Sequence, residues 1–162
     1  MTPSGRPSTD LRGISGEDTV VLDKKNRILI NKKFRDRLGP QFVLALTEWE
    51  SVCAYSMDAW NNRLSEIEGY AANNQGRSKY LRLLYQACDD EANCDPQGRL
   101  VIPAKLKAIG KLEDEVFLYG AGERLEFWNP KEYEKFTEDE AAYGIERRER
   151  MKAAYDEMTG KQ

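Results

Sequence analysis

One short pattern occurs twice in this chain, 72 residues apart, and each time it brings the same surroundings with it. Asp23-Lys24-Lys25-Asn26-Arg27 runs into the apolar Ile28-Leu29-Ile30 and then Asn31-Lys32-Lys33-Phe34. Asp95-Pro96-Gln97-Gly98-Arg99 runs into Leu100-Val101-Ile102 and then Pro103-Ala104-Lys105-Leu106. An isolated Asp-x-x-x-Arg arises by chance, but one that recurs with its downstream pattern intact marks an internal duplication. After a one-residue shift, Phe42-Val43-Leu44 aligns with Glu115-Val116-Phe117, and Val52-Cys53-Ala54-Tyr55 with Leu125-Glu126-Phe127-Trp128. Trp60 then falls opposite Tyr133. The fold must accommodate one unit twice.

Each copy reads as strand, tight turn, strand, short helix, strand, turn, strand, helix. That order defines an α+β unit whose adjacent strands predict antiparallel pairing. Asn26 and Gly98 occupy matching turn positions, and these residue types tolerate positive φ best. Asp23 and Asp95 can accept hydrogen bonds from the turn backbone. Asn31 is a good N-cap and Pro103 suits the first turn of a helix. One copy holds roughly 50 residues, too few for a comfortable core alone, so the two are expected to share one. The expected organisation is a tail over 1–15, a first β-rich module over 16–68, and a linker with a helix over 69–90. A second module over 91–136 and a C-terminal helix over 137–162 complete it. Within these, helices are expected from Arg77 to Ala87 and from Thr137 to Met158. Met151, Tyr155 and Met158 form a packing stripe on the latter. The tail lacks the apolar segment of a signal peptide and is expected to be disordered.

Residues with 40% apolar and 33% charged content, and no run near the roughly 18 apolar residues of a membrane span, suit a soluble, cytoplasmic globular protein. Three cysteines without paired spacing and no histidine leave little to bind zinc, and Cys53, Cys88 and Cys94 are expected to be reduced, packed thiols. No metal or cofactor is implied. Catalysis has little support either, since the commonest general base is missing and no nucleophile elbow, phosphate loop or dinucleotide fingerprint is present. Gly120-Ala121-Gly122 lies between two strands and reads as a hairpin turn.

Net charge is −3, but its placement matters more than its sum. Between Lys24 and Arg37 seven basic residues face one acid, Asp36, whereas after Leu112 fourteen acids face eight basic residues. A local basic patch can meet phosphate whatever the overall charge. Arg27 and Arg99 have two compatible readings. Each can pair with its own Asp to stiffen the turn, or be held by that Asp so that its planar fork meets phosphate or guanine. Lys24 and Lys25 favour the second reading for the first copy. Lys32, Lys33, Arg35 and Arg37 sit on a short helix anchored by Phe34 and Leu38, and can equally be a solvated face. Trp49, Trp60 and Trp128 read as core or interface residues.

These residues resemble the MraZ family, bacterial transcriptional regulators built from two AbrB-like (SpoVT-AbrB) modules. The resemblance rests on the doubled Asp-x-x-x-Arg, on Lys33-Phe34-Arg35, on Leu100-Val101-Ile102-Pro103 and on Val116-Phe117-Leu118-Tyr119-Gly120-Ala121-Gly122, and covers about residues 16–136. It implies two modules folded into one protomer, protomers assembled into a closed ring, and double-stranded DNA as partner. The targets it implies are short tandem repeats upstream of division and cell-wall genes, with the protein nucleoid-associated and no membrane or small-molecule partner. The family's motif arginines map onto Arg27 and Arg99, its aspartates onto Asp23 and Asp95, and its motif lysine onto Lys25, with Gln97 in that place in the second copy. The DNA-binding set is then Lys24, Lys25, Arg27, Lys32, Lys33, Arg35, Arg99 and Lys105. Departures are Asn26 for the usual Gly and Asn31 for the usual Pro. Two other readings stand beside this one: an oligomeric interaction module that has lost operator binding, and an antitoxin-like protein of AbrB fold.

Overall fold

In the computed structural model, which describes residues 13–161, both copies of the repeat fold into the same string of elements. The first copy gives β1 (Glu17–Val21), β2 (Arg27–Leu29), α1 (Lys32–Leu38), β3 (Phe42–Leu46), β4 (Val52–Ser56) and α2 (Met57–Glu68). After α3 (Gln75–Leu84), the second gives β5 (Asp89–Ala92), β6 (Arg99–Val101), α4 (Ala104–Ile109), β7 (Glu115–Gly120), β8 (Arg124–Trp128) and α5 (Pro130–Glu138). A last helix, α6 (Ile145–Thr159), follows. Of the stretch read as a tail, residues 1–12 lie outside the described residues, while Ile14 is buried and bridges Gly122.

Strand partners are drawn largely from the opposite copy. A six-stranded antiparallel sheet has the order β1-β7-β8-β4-β3-β5, and β2 pairs with β6 in a separate two-stranded ribbon. Exchanging each element for its counterpart turns the six-strand order into its own reverse, so the chain has an internal two-fold pseudo-axis. In the ribbon Ile28 pairs with Leu100, its own counterpart, and in the sheet Cys53 pairs with its counterpart Glu126. The pseudo-axis therefore passes through both pairs.

Alternation along the strands decides the layers, because successive side chains leave opposite faces of a sheet. Phe42, Leu44, Leu46, Val52, Ala54, Leu118, Leu125 and Phe127 join Ile28, Ile30, Phe34, Leu38, Leu100, Ile102 and Leu106 in one cluster drawn from both copies. This is the shared core, and it holds the ribbon, α1 and α4 against the sheet. Val43, Ala45, Cys53 and Tyr55 face the other way and are covered by Trp60, Ile67, Leu84 and Met158 of α2, α3 and α6. With both faces covered, every residue of β3 and β8 is buried. Burial pushes the Cys53 thiol up to about 12, so it packs as a small apolar group.

The helix boundaries show where local pattern misled. Asn31 caps α1 as expected, accepting from the Phe34 N–H at 2.9 Å, whereas Pro103 takes the N-cap place of α4 one residue ahead of its first turn. The helix expected from Arg77 to Ala87 ends at Leu84, and Ala87 turns back with φ 58°. The helix expected from Thr137 to Met158 is two helices. Asp139 ends α5 and accepts from the Ala142 N–H at 3.2 Å, and Gly144 (φ 59°) starts α6 on a new axis. Besides its apolar contacts with α3, α6 is fastened by the buried Arg147, which donates to Thr47 O and Leu83 O at 2.8 Å each and to Gln86 Oε1 at 2.9 Å.

Candidate functional site

Both Asp-x-x-x-Arg turns close in the same way. The Asp23 carboxylate accepts from the N–H groups of Lys25 (2.8 Å) and Arg27 (2.9 Å) with one oxygen and from Arg27 Nε (2.8 Å) with the other. Asp95 accepts from the N–H groups of Gln97 and Arg99 (2.9 Å each) and from Arg99 Nε (3.0 Å). The Asp is thus a turn organiser and a clamp on its Arg at once. Asn26 and Gly98 take the left-handed conformation this needs, with φ 61° and 85°. The backbone N–H of Arg27 is the main reason the Asp23 carboxyl lies below its ordinary range, and that of Arg99 does the same for Asp95. Because each Asp engages Nε, the terminal Nη groups of Arg27 and Arg99 have no hydrogen-bond partner among the described residues.

The ribbon then sets the two arginines on one face. Ile28 and Leu100 point into the core, so Arg27, Leu29, Arg99 and Val101 point out. Arg27 stands opposite Val101 and Arg99 opposite Leu29. This makes the arginines diagonal neighbours, roughly 7–8 Å apart at the backbone. The two aliphatic partners are more than half exposed, Leu29 at 54% and Val101 at 56%.

Antiparallel pairing also sends each turn to the helix of the other copy. Asn26 O accepts from the Ile102 N–H at 2.7 Å, and Gly98 O from the Ile30 N–H at 2.8 Å. The first turn therefore lies beside α4, whose Lys107 Nζ donates to Asn26 Oδ1 at 3.0 Å. The second turn lies beside α1, whose Arg35 Nε donates to Ile30 O at 2.9 Å. A Cβ on Gly98 would come within 3.1 Å of that same Arg35 Nε. Arg35 and Lys107 are counterparts, 72 residues apart. Sequence order groups Arg35, Lys32 and Lys33 with the first turn; the fold puts their helix beside the second.

The remaining expected residues scatter around this face. Lys24 and Lys25 are exposed on the first turn, and Lys105 is exposed at the start of α4. Lys32 pairs with Asp36 at 2.8 Å and Lys33 reaches Ser15 Oγ at 3.3 Å, so both amines are engaged by residues outside the two turns. Sequence reasoning missed Lys107, and it weighed Asn26 only as a turn former. The signal for Lys107 was available, since it sits where the repeat offset places the partner of Arg35.

A duplicated α+β chain, with two clamped arginines and two exposed aliphatic residues on the outer face of one cross-copy ribbon, defines a class of two-module proteins with a composite face drawn from both modules. A family model described as "MraZ protein, putative antitoxin-like" matches residues 87–154. Proteins named transcriptional regulator MraZ from Alkaliphilus oremlandii and Acetivibrio thermocellus are 32% and 30% identical over 125 residues, covering 77% of this chain and 87% of theirs. Another of that name, from Lactiplantibacillus plantarum, is 30% identical over 127 residues, 78% of this chain and 89% of its own. The chain belongs to the MraZ family.

Proposed function

We propose that the protein is a DNA-binding transcription regulator whose contact surface is the outer face of the ribbon and its two flanking turns. The observation that carries this is the pair of arginines, each clamped through Nε and each offering free Nη groups on one face. A guanidinium held by its inner nitrogen keeps the outer fork with which arginine meets phosphate or the guanine edge. Lys24 and Lys25 extend the positive field at one end of the ribbon, and Lys105 stands exposed on α4. The name carried by the family's relatives agrees with this reading.

We further propose that protomers close into a ring and meet tandem repeats upstream of division and cell-wall genes. One protomer offers few phosphate contacts and carries net charge −3, so useful affinity calls for several copies acting together. Symmetric copies on repeated sites gain effective concentration without any new contact. A second reading, an interaction module without operator binding, draws on the exposed Leu29 and Val101 between the arginines. Fluorescence anisotropy separates the two, using duplex DNA from upstream of the protein's own gene and a scrambled duplex across a salt series. Tighter binding to the upstream duplex, falling steeply with salt, is the expected result. Equal and salt-insensitive binding to both, or none, would favour the interaction module.

A further inference from the structure

The two turns of one protomer are built alike but tipped differently, and the difference has a chemical consequence. At the tip of the second turn Gly98 offers no side chain, and Arg35 lies over it with its Nε already given to Ile30 O. At the tip of the first, Asn26 carries an amide whose oxygen accepts from Lys107 Nζ at 3.0 Å. An ammonium has no lone pair, so the amide atom facing it must be the oxygen. That fixes the orientation of the side chain. The Asn26 Nδ2 group is then left without a hydrogen-bond partner among the described residues, on a half-exposed residue next to Arg27.

An unrestrained asparagine offers one donor and one acceptor, the pattern that matches adenine. Lys107 occupies one lone pair of the amide oxygen, weakening the acceptor side of that pattern, and adds its own spare N–H groups. What remains is a cluster dominated by donors, from Asn26 Nδ2, Lys107 and the neighbouring Arg27. We propose that Asn26 and Lys107, one from each module, form a composite donor site at the first turn that engages adjacent acceptor atoms on DNA, making the two turns of a protomer unequal readers. This rests on the DNA-binding reading above. Adjacent acceptors of the required kind occur on the guanine edge, as O6 and N7, and on the phosphate group. Lys107 acts partly as a positioning residue, holding the amide that makes the contact.

The test begins with duplexes selected by the wild-type protein from a randomised pool, and compares wild type, Asn26→Gly, Lys107→Ala and the double variant. Glycine suits the φ of 61° at position 26, so Asn26→Gly should melt close to wild type and leave the turn intact. Each single change should weaken binding about five- to a hundredfold. The double variant should lose little more than the worse single one, because the two groups act as a unit. If the acceptors belong to guanine, a 7-deazaguanine at one position should weaken wild type and leave Asn26→Gly unaffected. If they belong to phosphate, the loss should be uniform across sequences and the salt slope should fall by about one. Asn26→Gly and Lys107→Ala binding like wild type, in a protein whose binding is weakened by Arg27→Ala, would overturn the composite site and leave the DNA-binding reading standing. Wild type that binds no duplex would overturn both.

Discussion

At the residue scale, the Asp-x-x-x-Arg turn is a local device, and that is why the sequence displays it. Every bond that closes it lies within four residues: two backbone N–H groups and one Nε converge on a single carboxylate. The Asp23 and Asp95 carboxyls are held below their ordinary range by those bonds, which gives a signed pH dependence. A carboxyl with a lowered folded pKa stabilises the fold fully above its unfolded value, about 3.9, and loses that contribution as pH falls through the folded one. We expect an acid limb in thermal stability below about pH 4, reduced in an Asp23→Asn, Asp95→Asn double variant. Melting curves of both proteins from pH 6 to pH 2 check this, and identical limbs would assign acid lability to other carboxyls. What residue-scale reading could not supply was Lys107. Its contact with Asn26 spans 81 positions and exists only because the second strand of one copy pairs with that of the other.

At the element scale, strands and short helices were legible because their signals are short-range: alternation, an Asn cap, anchors at Phe34 and Leu38. The C-terminal region was not. A polar stretch without proline reads as one helix, and the turn at Asp139–Gly144 depends on where α6 finds its packing partner. That partner is α3. A Cβ on Gly76 would fall 2.2 Å from Met158 N, so only glycine permits this close crossing. Arg147 fastens the other end through three hydrogen bonds from its charged guanidinium, each worth about 1.5–3 kcal/mol. Thr47 O and Leu83 O keep the N–H groups of Glu50 and Gln86 when it is removed. We expect Arg147→Ala to cost about 2–4 kcal/mol in urea unfolding, and Gly76→Ala to force the two helices apart. Hydrogen exchange should show both variants losing protection in α6 before the sheet. A stability change below about 0.5 kcal/mol for Arg147→Ala would mean α6 is held by its apolar contacts alone.

At the scale of the whole molecule, the duplication could be read from one chain, but the way its copies interlock could not. Periodicity says that a strand exists and which face it buries; it does not name the partner. Cross-copy pairing makes the arginines neighbours on one ribbon and places α1 beside the second turn, the reverse of sequence order. It also leaves Leu29 and Val101 exposed, and Val21 at 70%, an apolar surface beside a charged one. Light scattering after gel filtration should return an integral multiple of the 18.6 kDa protomer. A monomer at micromolar concentration would remove the ring and the avidity it provides.

The central claim is that Arg27 and Arg99 act on one DNA ligand from one face. The most direct test is a double-mutant cycle in fluorescence anisotropy with upstream DNA, using Arg27→Ala, Arg99→Ala and their combination, with melting temperatures recorded alongside. We expect each single variant to bind more weakly, the pair to lose sequence preference altogether, and melting to move by no more than about 2 °C. A double variant that binds like wild type, or single variants whose weaker binding merely tracks a collapse in melting temperature, would contradict the claim and leave the turns as structural features alone.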